Sequence, residues 1–387
     1  MRSNSHLFNI SFRPFFILAA LIAFINPLVW VLSYLGHLPL PLNLVDPLFW
    51  HGHEMLFGFS GALIAGFILT ASANWTSSEP YKGNTLIALS AVWVLERVSY
   101  FLPLNTHLQF ILLNLFFPFL LLLLFLKLRN FPKQKYVFIP ILLGLTLGKI
   151  FHSFEYIYEI DATELYGKEI AAGLVRFIVL LIAGRVVPFF TRKKIQGLQI
   201  VMPAWINPMA LFPVALLCVP WIGGLSKSLL ASILLAAALT NIARQIMWKP
   251  LKTIKVPILF ILHIGILFIN LGLVLEFFSL FYESFNFSLA GLHLLMAGGL
   301  GVVGIGIMTR VSLGHTGRVI EADSWTKIAY VLIIIGALLR GIIPIFFPAL
   351  YFKSLYFAGG FWSLGFLIFL LRYFNVLIKP RPDGKAY

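Results

Sequence analysis

The chain contains 387 residues, of which 60% are hydrophobic and 11% are charged, and its mean hydropathy is +0.94. A water-soluble domain needs more polar residues than this, so the composition indicates a polytopic membrane protein. The formal net charge of +15 gives no reason to expect a nucleic-acid partner, because the basic residues lie in short loops between apolar segments.

The single cysteine, Cys218, limits the cofactors that the chain can hold. One thiol cannot form an internal disulfide or hold an iron–sulfur cluster, and a covalently attached c-type haem needs two cysteines. Any haem must therefore be bound non-covalently. Residues 1–16 lead into an apolar stretch without a small-residue cleavage site, so we predict an uncleaved first helix rather than a removed signal peptide.

Apolar windows along the chain predict twelve transmembrane helices, each close to the ~20 residues that cross a bilayer. The predicted spans are residues 15–34, 53–72, 84–101, 108–126, 137–156, 170–190, 206–222, 228–247, 257–278, 289–310, 328–347 and 355–374. We find no linker, no soluble domain and no clear repeat between the two halves of the chain. The expected fold is an all-α polytopic integral membrane protein, in which residues 1–387 form a single transmembrane domain with about 12 helices in one bundle.

Basic residues alternate between the two sides of the predicted membrane. Most of the 29 lysines and arginines lie in the N-terminal segment and in every second loop after it, whereas the alternate segments hold only Lys168, Lys227 and Lys353. Short basic loops stay in the cytoplasm, so both termini are predicted to be cytoplasmic. The acidic loop from Glu155 to Glu169 then faces outward, where it offers a docking surface for a small cationic electron donor.

The sequence His51-Gly52-His53-Glu54-Met55 opens the second predicted span. Ionisable side chains at membrane depth are costly and are therefore candidates for function. Imidazole, carboxylate and thioether groups are ligands suited to iron or copper. Further histidines lie within other spans or at their ends. The candidate metal ligands are His51, His53, His152, His263, His293 and His315.

The predicted topology divides these histidines into an outer group of four and a cytoplasmic pair, His263 and His315. In a continuous helix, side chains two residues apart point about 200° away from each other, so His51 and His53 would serve different centres. We expect His53 and His293 to ligate a metal, whereas His51 faces a second centre or the membrane interface.

A strip of small residues follows each of the two expected ligands. The strips contain Gly58, Gly61, Ala62, Ala65 and Gly66 after His53, and Ala297, Gly298, Gly301 and Gly304 after His293. Two accounts remain open: the strips allow close packing between helices, or they leave a flat slot for a porphyrin.

Three arginines in the outward halves of spans, Arg97, Arg176 and Arg340, need anionic partners. Nearby glutamates and haem propionates fit this need equally well, because a guanidinium binds any carboxylate in a bidentate way. Arg185 and Arg244 lie near cytoplasmic helix ends, so their side chains are expected to snorkel to the interface.

Two further features complete the candidate site. Arg310 and Arg318, in the cytoplasmic stretch 308–318, are candidates for binding an anionic group of a cofactor. Glu54 lies next to the expected ligands and is the candidate catalytic residue, because a carboxylate beside a metal can pass protons.

Three stretches of the chain form recognisable motifs: HGHEMLFGFSGALIAGF at 51–67, GRVVPFFT at 184–191 and MTRVSLGHTGR at 308–318. Through these motifs the chain resembles the NnrS family of bacterial inner-membrane proteins. The resemblance covers nearly the whole chain. One departure is Gly52, where the family pattern has alanine, and both residues are small.

The resemblance implies a twelve-helix protein of the bacterial inner membrane that carries non-covalent haem and copper and takes part in defence against nitric oxide. It carries over the six candidate histidines as ligands without saying which metal each one binds. The partners it implies are haem, copper and nitric oxide; the charge of the outer loop adds an unidentified electron donor, and the composition adds membrane lipid. Two functions remain open: a redox protein that binds or reduces nitric oxide, and a transporter or chaperone for haem, copper or a small metabolite.

Overall fold

The computed structural model describes residues 6–159, 166–219, 224–282 and 285–384. These parts of the chain are 78% helical and contain no strands, as the all-α prediction requires. Ten of their helices are long and apolar enough to cross a membrane. Two shorter helices stand at the positions of the other two predicted spans, so the predicted number of about twelve holds approximately.

We number the helices in chain order, counting the two short ones. They are α1 (Phe12–Tyr34), α2 (Pro47–Trp75), α3 (Asn84–Ser99), α4 (Thr106–Leu128), α5 (Pro132–Ile157), α6 (Gly167–Lys194), α7 (Ile206–Leu216), α8 (Lys227–Met247), α9 (Pro257–Ser279), α10 (Asn286–His315), α11 (Ser324–Phe346) and α12 (Pro348–Ile378).

Helix α2 begins six residues earlier than the sequence analysis predicted, and its N-terminal cap explains why. The Asp46 carboxylate accepts hydrogen bonds from the backbone N–H groups of Leu48 and Phe49, at 2.7 and 2.8 Å. Pro47 occupies the first helical position, where its missing N–H costs nothing. Because the helix begins at Pro47, His51 lies inside it rather than before it.

Two helices contain a π-helical segment, and each segment begins directly after a candidate histidine. In α2 it covers Glu54–Phe59 and follows His53. In α10 it covers Leu294–Gly301 and follows His293. Such wide turns leave backbone groups without their usual helical partners and are frequent at functional sites. One carbonyl of the segment in α2, that of Gly58, accepts a hydrogen bond from the indole N–H of Trp93 in α3, at 3.1 Å.

The chain divides into two compact units. Unit 1 consists of Met1–Ala171, Val311–Val319 and Phe369–Tyr387, and unit 2 of Ala172–Arg310 and Ile320–Ile368. Within unit 1, α1 packs along α2, and within unit 2, α9 packs along α10.

The glycines of the small-residue strips lie against aromatic rings of neighbouring helices. A Cβ atom added at Gly61 would meet the rings of Phe116 and Phe117 at 3.2 Å, and one at Gly298 would meet the Phe268 side chain at 2.6 Å. At these positions the strips serve close helix packing. The porphyrin slot stays a prediction that the packing of these glycines does not test.

We predict that Gly301→Ala destabilises the protein by about 1–3 kcal/mol, the usual cost of overpacking a core. The added methyl group would overlap the buried ring of Trp362. Gly360→Ala is the matched control, because no atom lies within 4 Å of its added Cβ. Thermal unfolding of the purified protein measures both, and equal melting temperatures for the two variants would contradict the packing account.

Candidate functional site

Four charged side chains form a buried network in unit 1, joining α2, α3 and α5. The Arg97 guanidinium donates to Glu54 Oε2 at 2.8 Å and to Glu96 Oε2 at 2.7 Å, and Lys149 Nζ donates to the same Glu96 oxygen at 2.7 Å. The other oxygen of Glu96 accepts the backbone N–H of Phe116 at 2.7 Å. Two carboxylates thus balance two cations, as burial of charge requires.

His53 is fully buried beside this network. Its Nδ1 lies 2.6 Å from the Tyr100 hydroxyl and 3.3 Å from Glu54 Oε1. Its Nε2 has no hydrogen-bond partner among the described residues. Leaving a buried polar atom unpaired costs free energy, so this nitrogen is the strongest indication of a ligand in unit 1.

The structure brings His152 close to His53. Their ring centroids lie 6.2 Å apart, with ring planes 18° from parallel. Phe49 flanks both rings, with centroid distances of 5.5 Å to His53 and 4.9 Å to His152. Phe57 lies 5.0 and 6.0 Å from the same two rings. The two imidazoles therefore share one aromatic environment.

His51 belongs to different surroundings, as the helical spacing predicted. Its Nδ1 lies 2.7 Å from Asn26 Oδ1, and its ring stacks on Trp30 at a centroid distance of 4.3 Å. Both of these partners come from α1. His51 and His53 thus face different neighbours.

His263 is the most unusual histidine of unit 2. Only 1% of it is exposed, and neither of its ring nitrogens has a hydrogen-bond partner in the described parts of the chain. Its ring lies 6.4 Å from that of Trp248, centroid to centroid. His293, in the same unit, lies 2.8 Å through Nδ1 from the backbone carbonyl of Leu289.

The predicted anion-binding arginines have varied surroundings. Arg97 is held by Glu54 and Glu96, as described above, and Arg176 forms a close ion pair with Glu276, which the sequence analysis did not name. Arg310 stacks on the Phe190 ring, with its guanidinium carbon 3.7 Å from the centroid.

Two more candidates lie near backbone or aromatic groups. Arg318 donates to the Thr316 carbonyl at 3.2 Å, and the Arg340 guanidinium lies 5.7 Å from the Tyr351 ring. A role of these five arginines in binding a cofactor stays a prediction. His315 packs in unit 1 with its ring 5.7 Å from Phe12.

Arg244 does not snorkel, and that expectation is wrong. Its side chain is fully buried and donates to the Leu180 carbonyl at 3.1 Å and to Asn241 Oδ1 at 2.7 Å. Leu180 lies near the middle of the 28-residue helix α6. Position near a helix end in the sequence therefore did not place this guanidinium near the interface, because it reaches a carbonyl of another helix, α6.

Across the residues that the structure describes, no group of three or more His, Cys, Asp or Glu side chains could hold a metal ion. The structure instead brings the unpaired Nε2 of His53 close to a second imidazole, that of His152. That donor set suits an axial ligand of haem, which needs only one or two protein atoms. Much of the outward acidic loop, at residues 160–165, lies outside the described residues.

The sequence analysis missed two members of the site, Tyr100 and Trp93. Trp93 lies in α3 and Tyr100 directly follows it, and each is three or four residues from Glu96 and Arg97, a spacing that makes residues neighbours on a helix. In the sequence, Trp93 is four residues before Arg97, and Tyr100 is four residues after Glu96. This spacing identifies Trp93 and Tyr100 as members of the site only once α3 is known to face His53.

We predict that Glu96→Gln destabilises the protein by about 3–5 kcal/mol, because it leaves buried Arg97 and Lys149 with one carboxylate between them. The control is Glu79→Gln, whose ion pair with Lys82 is exposed and is worth less than about 1 kcal/mol. Thermal unfolding in one detergent compares them. If both variants melt like the unsubstituted protein, the network does not hold the three helices together.

A comparison with protein-family models places the chain among known proteins. The model described as NnrS protein matches residues 6–381, nearly the whole chain. No curated protein gives a significant match. The three motifs that carried the resemblance lie in α2, in α6 and at the end of α10. On this extensive match, the chain belongs to the NnrS family.

Proposed function

We propose that this protein binds a metal centre through His53 in unit 1 and uses it to bind nitric oxide, in support of nitric-oxide tolerance. Membership of the NnrS family supports a nitric-oxide-related membrane protein. The observation that carries the proposal is the buried His53 ring, whose Nε2 has no partner among the described residues.

The neighbours of His53 resemble those of a metal ligand. A metal-bound histidine usually presents its second ring nitrogen to a carboxylate or another polar group, which fixes the ring and its tautomer. Here Glu54 and Tyr100 lie at Nδ1, at 3.3 and 2.6 Å, and leave Nε2 as the ligating atom. Glu54 is in turn fixed by Arg97. Glu54 therefore acts as a positioning residue for His53.

Haem is the group that these residues fit best. His53 would hold the iron through Nε2, and His152 lies in the same aromatic surroundings, where its imidazole would face the bound group. Arg97 Nη2 is buried without a partner in the described chain, so it has a donor left for a propionate. When bound, haem would supply an iron atom that nitric oxide ligates. Copper binding remains a proposal for which elemental analysis is the test.

Glu54 also bears on the alternative in which the protein reduces nitric oxide rather than only binding it. Reductive coupling of two nitric-oxide molecules takes up two electrons and two protons and yields nitrous oxide and water. Glu54 contacts His53 through one oxygen and Arg97 through the other, so a proton would have to displace one of these contacts. A substitution of Glu54 would therefore stop the reduction of nitric oxide but not its binding, so it tells the two activities apart.

We predict that purified, cofactor-replete protein has a Soret band, and that His53→Ala removes or shifts it. His107→Ala is the control, because His107 lies in an exposed contact with Tyr158 away from the buried network. Absorption spectra and elemental analysis for iron and copper give the readout. A preparation that holds neither haem nor metal would overturn the proposed function. Saturable uptake of haem or copper by proteoliposomes, with no binding of nitric oxide, would replace it by a carrier.

An anaerobic nitric-oxide electrode measures what the bound centre does. For chemically reduced protein we expect consumption to stop at one or two molecules per haem. The Glu54→Gln variant should then consume the same amount, provided that it keeps its haem. Many turnovers per haem that are lost in Glu54→Gln would contradict simple binding and would establish an enzyme in which Glu54 passes protons.

A further inference from the structure

An open apolar groove lies on the surface of unit 1, between α1 and α3. Its volume is about 590 Å³, within the range of small-molecule sites. Its walls include Ile17 and Leu18 of α1 and Ala91, Val94 and Leu95 of α3. None of the described residues that line the groove carries a charge. The lining therefore suits a neutral, mainly apolar molecule and offers nothing to an ionic headgroup.

One end of the groove is bordered by the segment that precedes α1. Leu7 and Phe8 line this end. The Phe8 carbonyl accepts the N–H of Gly83, directly before α3, at 2.8 Å, and the N–H of His6 donates to the carbonyl of Ile378, at the end of α12, at 2.9 Å. Backbone hydrogen bonds thus hold the segment against both neighbouring helices and fix this end of the groove.

The groove opens toward the surface on which unit 1 exposes its apolar side chains. Ile87, Val94 and Val98 line the groove and are each more than 40% exposed. In a membrane protein, such side chains of a helix face the hydrocarbon of the bilayer. A molecule that occupies this groove must therefore be dissolved in the lipid.

Ser90 is the one polar side chain that the groove lining contains among the described residues, and it lacks a hydrogen-bond partner. It is only 9% exposed. Buried hydroxyls in other helices donate to the carbonyl four residues earlier, as those of Thr70, Thr146 and Thr191 do at 2.7–2.8 Å. A buried hydroxyl without a partner costs free energy. Ser90 therefore has a donor available for a molecule in the groove.

The depth of Ser90 separates two kinds of lipid-soluble occupant. Ser90 lies about 9 Å along the helix axis from the start of α3 at Asn84. The polar atoms of a phospholipid stay near the membrane surface, and its acyl chains have no atom that accepts a hydrogen bond. A quinone carries carbonyl acceptors on a neutral, flat ring that enters the hydrocarbon. A quinone therefore satisfies Ser90, whereas an acyl chain does not.

Ser90 also lies at the border between the groove and the candidate site. Trp93 follows Ser90 by three residues and Arg97 follows Trp93 by four, so the three side chains are successive neighbours on α3. The Arg97 guanidinium carbon lies 4.2 Å from the centre of the Trp93 ring, and Trp93 donates to Gly58 in the π-helical segment of α2. A ring held at Ser90 would thus lie beside the helix that positions Glu54.

We propose that this groove binds a lipid-soluble quinone, with the Ser90 hydroxyl donating to a ring carbonyl and the isoprenoid tail lying along the apolar walls of α1 and α3. The uncharged lining, the opening toward lipid and the unpaired hydroxyl at depth each match one property of such a molecule. The inference goes beyond the proposed function, because binding in the groove requires no metal at His53.

The first test is equilibrium binding of a decyl-substituted benzoquinone to delipidated, full-length protein in one detergent. We expect saturable binding of one molecule per chain. Ser90→Ala should weaken it about tenfold, the usual effect of losing one hydrogen bond. Ser232→Ala is the control, because the Ser232 hydroxyl is exposed on α8 and donates to the Ser228 carbonyl. Decylbenzene, which has no carbonyl, should bind the unsubstituted protein and Ser90→Ala with equal affinity.

A second variant fills the groove itself. Ala91 lines the groove and is exposed, so Ala91→Trp places an indole in the groove without disturbing the core. We expect this variant to lose saturable binding. Ala236→Trp is the matched control, because Ala236 is also an exposed alanine on a helix, in α8. It should bind the quinone like the unsubstituted protein.

Three results would overturn the proposal. One is uptake of the quinone that never saturates, which is partition into detergent only. Another is equal binding by the unsubstituted protein and Ala91→Trp, which places the molecule elsewhere. The third is loss of binding in Ala91→Trp with full affinity in Ser90→Ala, which identifies a site for a hydrocarbon chain instead of a quinone. Each of these results leaves the Soret band and its dependence on His53 untouched, so the proposed function stands or fails separately.

Discussion

The structure of unit 1 depends on the charge balance among Glu54, Glu96, Arg97 and Lys149. A single charge at membrane depth is costly, so each member of this network requires the others. Three helices must therefore meet at one place, since the residues come from α2, α3 and α5. The same network holds Glu54 at the Nδ1 side of His53, so the charges that join the helices also orient the candidate ligand.

Unit 2 balances its charges in a different way. Arg176 has a carboxylate partner in Glu276, whereas the described contacts of Arg244 are to neutral oxygens and to the ring of Trp248, 5.2 Å from its guanidinium carbon. The two units thus share a histidine at the start of a π-helical segment but differ in the polar groups around it. In α10, Leu294 takes the position that Glu54 has in α2. The glutamate at this position makes unit 1 the better setting for chemistry that consumes protons.

The sequence predicted the helices well, because ~20 apolar residues between basic loops can hardly form anything else in a bilayer. It also predicted that His51 and His53 face different neighbours, since this follows from helical spacing alone. It could not predict the π-helical segments or the burial of Arg244, which depend on contacts between helices distant in sequence. The start of α2 could have been predicted from the sequence, because Asp46-Pro47 is a typical helix-capping pattern. The apolar window placed the start at residue 53 instead, because it measures hydrophobicity alone.

The central claim is that Nε2 of His53 ligates a metal. An experimental structure of the cofactor-replete protein, with anomalous scattering recorded at the iron and copper edges, tests this claim most directly. The account predicts anomalous density about 2 Å from His53 Nε2, a usual distance between a metal and an imidazole nitrogen. Anomalous density at other residues, with His53 Nε2 bonded to a protein group or to water instead, would contradict it.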